Sequence, residues 1–168
     1  MGLSFSVKSG EGWYVPCPED REQTFAILTK FKDLFADESK TWVGQNLKYD
    51  LLMLKWYGCE LKGEIFDTML AHYVTEPEGK RSMDMMSAKY LSYIPVTIES
   101  LIGKKGKTQG TMRGVAIEEA KEYAVEDADI TLQLKNIFLP SLKIKDVEKV
   151  FYEVENPLVR VLTAMEFE

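Results

Sequence analysis

The chain has 168 residues, 45 % of them hydrophobic, which is enough for one domain with its own core and too little for two of ordinary size. Lysine and arginine number 21 against 27 aspartates and glutamates, and the formal charge of −6 excludes a general nucleic-acid coat, whose affinity is built from many basic contacts with phosphate. No apolar run has the length of a membrane span, no basic-then-apolar leader follows Met1, and Cys17 and Cys59 lack CxxC spacing, so packed free thiols in a reducing, cytoplasmic setting are expected.

From Leu3 to Val7 apolar and polar residues alternate, a turn follows at Gly10-Glu11-Gly12, and Trp13-Tyr14-Val15 returns, which predicts a β-hairpin. Asp20 should cap a helix with Gln23 as its capping partner, and Phe25, Leu28, Phe31 and Phe35 form its apolar stripe. Lys40 to Val43 reads as a short strand. After Gly44-Gln45-Asn46, a helix is expected from Leu47 to Tyr57, closed by Gly58 in a left-handed conformation. Glu64-Ile65-Phe66 reads as a strand, and Asp67 as the cap of a helix running through Tyr73. Glu76 to Arg81 is turn-like, Met83 to Leu91 is a short helix, and Pro95 with the glycines at 103, 106 and 110 marks an irregular basic stretch. The longest helix is expected from Ala116 to about Phe138, ending before Pro140. A last helix starts near Val147, is kinked or split by Pro157, and stops uncapped at Glu168, as though cut from something longer. Strands and helices in this order predict an α/β fold.

Within the long helix, Ala116, Ala120, Tyr123, Asp127, Ile130 and Leu134 fall on one stripe, and Asp127 interrupts it with a charge. A carboxylate turned toward a core needs a cation, strong donors or a raised pKa, so Asp127 is either half of a buried ion pair, a cap, or a metal ligand. Tyr123, one turn earlier, lies beside it, so its phenol is either a core aromatic or a partner at the same site. Asp50 falls in the first turn of the Leu47 helix, where the helix dipole alone favours an acid. Gln45, Asn46 and Tyr49 crowd around it, however, and amides at a helix start suit a phosphate or a base edge.

Three segments carry a resemblance: Val43-Gly44-Gln45-Asn46-Leu47-Lys48-Tyr49-Asp50, Phe66-Asp67-Thr68-Met69-Leu70, and Tyr123-Ala124-Val125-Glu126-Asp127-Ala128-Asp129. Together they resemble the proofreading 3′–5′ exonuclease domain of bacterial family A DNA polymerases, in the tyrosine branch of the DEDD exonuclease superfamily. The resemblance runs from Gly2-Leu3-Ser4-Phe5 to Asn156-Pro157-Leu158, with residues 1–150 as exonuclease domain and 151–168 as the start of the polymerase region. It implies a ribonuclease-H-like fold that hydrolyses the terminal phosphodiester at a DNA 3′ end during replication and repair, with two divalent ions, magnesium or manganese. By the same resemblance Asp127 is a direct metal ligand, Asp50 holds the second ion largely through water, and Tyr123 aims the nucleophile. Gln45, Asn46 and Tyr49 match positions near the terminal nucleotides, and Lys80 and Arg81 fall where the family has a basic substrate contact.

The family's first motif, a central strand bearing Asp-x-Glu, has no counterpart in these residues. Asp20-Arg21-Glu22 has the spacing, but it opens a helix, where the two carboxylates diverge. The expected fold therefore lacks its first central strand, which would lie between the hairpin and the strand around Val43. Asp50 and Asp127 alone offer few oxygens to hard cations that want six or more, so weak or no ion binding and an inactive chain are expected, or else a non-catalytic DNA-binding or structural module. Unpaired strand edges would favour a homodimer by pairing or strand exchange, and the polymerase domain of the same parent chain is the other implied partner. Gly106-Lys107-Thr108 is not a phosphate-binding loop, because Leu101 stands where glycine is needed, and the lysines at 104, 105 and 107 read as a solvated loop. His72, the sole histidine, reads as structural.

Overall fold

The strands form two separate two-stranded sheets. In this computed structural model, which describes residues 2–106 and 108–168, β1 (Gly2–Lys8) pairs antiparallel with β2 (Glu11–Pro16), and β3 (Thr41–Gly44) pairs parallel with β4 (Glu64–Asp67). Gly10, at φ +80°, takes the left-handed turn that closes the hairpin. Lys107 of the lysine-rich loop, like Met1, lies outside the described residues.

Neighbouring residues of β3 and β4 point to opposite faces, as the pleat requires. Trp42 and Ile65 join one core cluster with Leu28, Phe35, Leu47, Leu51 and Leu61, whereas Val43 and Phe66 join the other with Ile130, Leu134 and Phe138. Leu3 and Phe5 of β1 pack on the first cluster, Phe5 stacking on Phe31 at 5.6 Å between ring centroids. On the opposite side of the layer lies the long helix, in close contact with β1, β2 and β3. The two sheets are thus pieces of one layer, with helices on both faces.

Helix α1 (Arg21–Thr29) is capped by Asp20, whose carboxylate accepts the Gln23 N–H at 2.8 Å. The expected stripe to Phe35 breaks, because the chain leaves α1 at Lys30 and re-enters a helix as α2 (Lys32–Phe35); Leu28 and Phe35 are buried while Phe25 is exposed. Helix α3 (Leu47–Trp56) ends as expected, with Gly58 at φ +68° and the Cys59 N–H reaching back to the Leu54 carbonyl. Helix α4 (Thr68–Thr75) leads through the turn to α5 (Met83–Met86), which continues as a π turn over Ser87–Leu91, and a short α6 (Ile98–Ile102) sits in the irregular stretch. His72 is buried against Tyr90 and Phe138, in keeping with a structural role. Cys17 and Cys59 are free and only partly buried.

The longest helix, α7 (Ile117–Ile144), does not stop before Pro140 but runs through it. Proline removes one N–H, leaving the Asn136 carbonyl without its helical partner, but Asn136 and Pro140 face solvent while Phe138 and Leu142 anchor both sides of the lesion in the core. Pro157 acts as expected: α8 (Glu148–Val150) passes into a π turn at Phe151–Glu155, and α9 (Asn156–Phe167) starts with the proline in its first turn. Asn156 binds α9 to β4, donating to the Ile65 carbonyl at 2.6 Å and accepting the Asp67 N–H at 3.3 Å.

Candidate active site

Between β1 and β3 lies an open slot of about 680 Å3, lined by residues 2–7 of β1 and 41–44 of β3, with Asp127, Ala128, Thr131 and Leu132 of α7 as its floor. Asp50 and Asp127 both line it, so the structure brings together two carboxylates that lie 77 residues apart in the chain. Gln45 lines it too.

Asp50 projects from the first turn of α3. Asp50 is solvent-exposed and lines the slot, whose protein walls take up part of the space around its carboxylate. That confinement, reinforced by the nearby Asp67 carboxylate, pushes its pKa up to about 6. Asp127 is half-buried and likewise pushed up to about 6, chiefly by burial, with Glu126 and Asp84 adding repulsion. The Tyr123 phenol beside the Asp127 carboxylate partly offsets that rise, and the phenol in turn lies well above its usual range because of burial and the neighbouring charge. Neither aspartate is locked to an arginine or lysine among the described ion pairs. Unpaired carboxylates held above their ordinary pKa in a cleft are a pattern of functional sites.

Asp67 sets where Asp50 stands. Its carboxylate accepts the N–H groups of Met69 (2.9 Å) and Leu70 (3.3 Å) at the start of α4, the expected cap, and also those of Leu47 (2.7 Å) and Asn46 (3.3 Å) at the start of α3. One side chain therefore caps two helices, and Asn46 is drawn into a left-handed conformation at φ 59° to make the turn. Burial pushes the Asp67 pKa up, and the four donors oppose it. The second pair of bonds spans about twenty residues, so the local capping signal could not reveal it.

The remaining expected residues divide. The Gln45 amide is spent within the protein, its oxygen accepting from the Thr68 hydroxyl at 2.5 Å and its nitrogen donating to the Arg81 carbonyl at 3.0 Å. That second bond ties the Arg81 backbone to Gln45, although Arg81 does not itself line the slot; its guanidinium donates to the Pro77 carbonyl and lies 5.0 Å over the Tyr73 ring. Asn46, Tyr49 and Lys80 are exposed nearby on the surface and do not line the slot. Asp84 on α5 also bears on Asp127, and nothing in its local sequence pattern singles it out.

For divalent ions the fit is partial. Among the described residues no group of three or more histidine, cysteine, aspartate or glutamate side chains could hold a metal, so Asp50 and Asp127 by themselves do not make a two-ion centre. Among these residues, too, no helix is long and apolar enough to cross a membrane.

A 3′–5′ exonuclease family model matches residues 1–143. DNA polymerase I of Pseudomonas aeruginosa is 38 % identical over 99 % of the chain, that of Borreliella burgdorferi 35 % over 99 %, and that of Rhizobium leguminosarum 41 % over 83 %. The chain spans only 19 %, 18 % and 14 % of those relatives. A solved structure, the polymerase domain of Pol1 from M. smegmatis with DNA primer-template and dNTP, superposes with a TM-score of 0.65 at 21 % identity, over 94 % of this chain and 24 % of that one, and so shares its fold. With the ribonuclease-H-like α/β layer and the matched span taken together, the chain belongs to the 3′–5′ exonuclease family.

Proposed function

We propose that this chain is the proofreading domain of a DNA polymerase I, hydrolysing the 3′-terminal phosphodiester of a frayed or single-stranded primer end. The observation that carries the reading is the convergence of Asp50 and Asp127 on one slot, with Tyr123 one helical turn before Asp127. In the parent, Asp127 and Asp50 would hold magnesium or manganese together with oxygens from outside these residues; such ions supply activated water and stabilise a leaving oxygen. Tyr123, whose phenol stays protonated, keeps an O–H beside Asp127 that can aim a water at phosphorus. Gln45 holds the Arg81 backbone, and from that segment Lys80 and Arg81 would meet the terminal phosphates, while Asn46 and Tyr49 at the α3 start would meet the bases. Residues 1–150 form the exonuclease domain, and 151–168 lead into the polymerase region while staying docked through Phe151, Asn156 and Val159. The partners of such a protein are a DNA 3′ end and its own polymerase domain, in the cytoplasm.

Because two carboxylates make only part of an ion site, the 168-residue chain alone is inactive; as isolated, a non-catalytic module describes it. The test uses single-stranded DNA labelled at its 5′ end, with manganese. A full-length parent should shorten it one nucleotide at a time, its Asp127→Ala variant should be slower by about a thousandfold or more, of the order seen when metal or charge stabilisation is lost, and the isolated chain should release nothing. Undiminished shortening by the variant would refute the assignment.

A further inference from the structure

The outer edge of β4 is covered by side chains of α9 rather than by a strand. Across the edge paired with β3, Glu64 donates to the Lys40 carbonyl at 3.0 Å, so the backbone groups of Ile65 and Asp67, one and three residues on, face the other way. On that side the Asn156 amide donates to the Ile65 carbonyl at 2.6 Å and accepts the Asp67 N–H at 3.3 Å, answering both as the peptide group of a further strand would. One turn later, Arg160 donates to the Leu61 and Gly63 carbonyls at 2.8 and 2.9 Å and continues the seam ahead of β4. At the far end of α9, Glu166 pairs with Lys48, and Phe167 packs on Trp56 with ring centroids 5.1 Å apart, so the same helix also lies along α3. Asn156 is 7 % exposed, and without its amide two peptide groups inside the protein lose their partner.

What Asn156 holds is the backbone of the residue whose carboxylate caps both α3 and α4, and Asp50 stands in the first turn of α3. The route is continuous: the Asn156 oxygen takes the Asp67 N–H, the Asp67 carboxylate takes the Leu47 N–H at 2.7 Å, and one turn of helix leads from Leu47 to Asp50. We infer that Asn156 is a positioning residue: by fixing the Asp67 backbone it sets, through the double cap, the direction in which α3 presents Asp50 to the slot. The link itself is a matter of packing, while its consequence for hydrolysis rests on the proofreading function proposed above. Arg160 grips the same helix but reaches only residues 61 and 63, so it anchors α9 without touching the cap. Asn156 also lies outside residues 1–143, the span shared with the exonuclease family, and on the proposed division it belongs to the segment leading into the polymerase region. A displacement of that segment is felt at Asp50. It acts on the chemical step rather than on the hold on DNA, because on that reading Asp50 serves the ion at the scissile phosphate.

Amide hydrogen exchange of the 168-residue chain, read by NMR without metal or DNA, tests the link, and steady-state shortening of 5′-labelled single-stranded DNA by the full-length parent tests its consequence. Asn156→Leu is close in shape and removes both bonds. It should speed exchange at the Leu47 and Met69 N–H groups about tenfold more than at the core amides of Leu134 and Leu142, as for the loss of about one hydrogen bond. In the parent it should lower kcat about tenfold or more with KM unchanged, the split that marks a misplaced group rather than lost binding. Arg160→Met also cuts two bonds of α9 and should do neither. If Asn156→Leu does not fold, Asn156→Ser, which keeps a hydroxyl but cannot span both groups, is judged by the same two readings. Exchange that rises evenly over core and caps, an equal effect of Arg160→Met, or an unchanged kcat where the caps have loosened would each overturn the proposal. Should Asp127→Ala leave the parent fully active, the nuclease reading falls alone, and the exchange pattern still decides for or against Asn156.

Discussion

Asp67 and Asp127 are both aspartates set against the same core, yet they stand in opposite circumstances. Asp67 is 2 % exposed and accepts four backbone N–H groups, so its oxygens are fully employed in holding α3 and α4. Asp127 is half-buried with one phenol beside it and like charges around it, so its burial is not compensated. What separates a scaffold acid from a reactive one is therefore the supply of donors rather than depth. The first stabilises the fold, and the second is held at a cost to stability that a ligand can later recover.

The comparison breaks if the two behave alike on mutation. Asp67→Ala strands four backbone donors, one buried and three part-buried, and should cost about 3–5 kcal/mol in urea unfolding, the range for breaking a buried charged network. Asp127→Asn should do the reverse. A carboxyl whose folded pKa is near 6 against an ordinary 3.8 binds more protons folded than unfolded between those values, so stability falls as pH rises from 4 to 6 and stays reduced above. Removing the titration should raise stability at pH 7.5 by about 1–2 kcal/mol, after allowance for partial solvation, and leave it unchanged at pH 3.5. Melting curves at the two pH values read this directly; a loss of stability at pH 7.5 would place Asp127 with the scaffold. Asp20 sharpens the scale from below, as an exposed aspartate with one N–H bond. Asp20→Ala should cost about 1 kcal/mol by the same denaturation assay.

How much of this was legible beforehand depended on distance along the chain. The Asp20 and Asp67 caps and the Gly58 terminus are written within three or four residues and are found where they were expected, while the hairpin turn falls at residues 9–10, so that Glu11 and Gly12 already belong to β2. Phe25 lies three residues before buried Leu28 on unbroken α1 and is nonetheless exposed, a difference that helical spacing alone does not carry, and the break at Lys30 is equally silent in the local pattern. The passage of α7 through Pro140 was hidden for a similar reason, since propensity weighs a local defect and not the core contacts of Phe138 and Leu142 on either side. For the candidate site, the stripe marked Asp127 and Tyr123, but the second task of Asp67 and the brace from Gln45 to Arg81 join segments about 20 and 36 residues apart. No pattern of period two or 3.6 carries such bonds.

Helix α7 is 28 residues long, about 42 Å at the usual rise, and its two halves are held differently. From Ile130 onward it is clamped by the core, while its first turns, with Tyr123 and Asp127, lie under a slot and two thin sheets. The first turns are not loose for that: Glu126 accepts the Val96 N–H at 2.8 Å and Asp129 the Gly10 N–H at 2.9 Å, so polar bonds to the hairpin and to the segment after α5 moor Tyr123 and Asp127 where the apolar core does not reach.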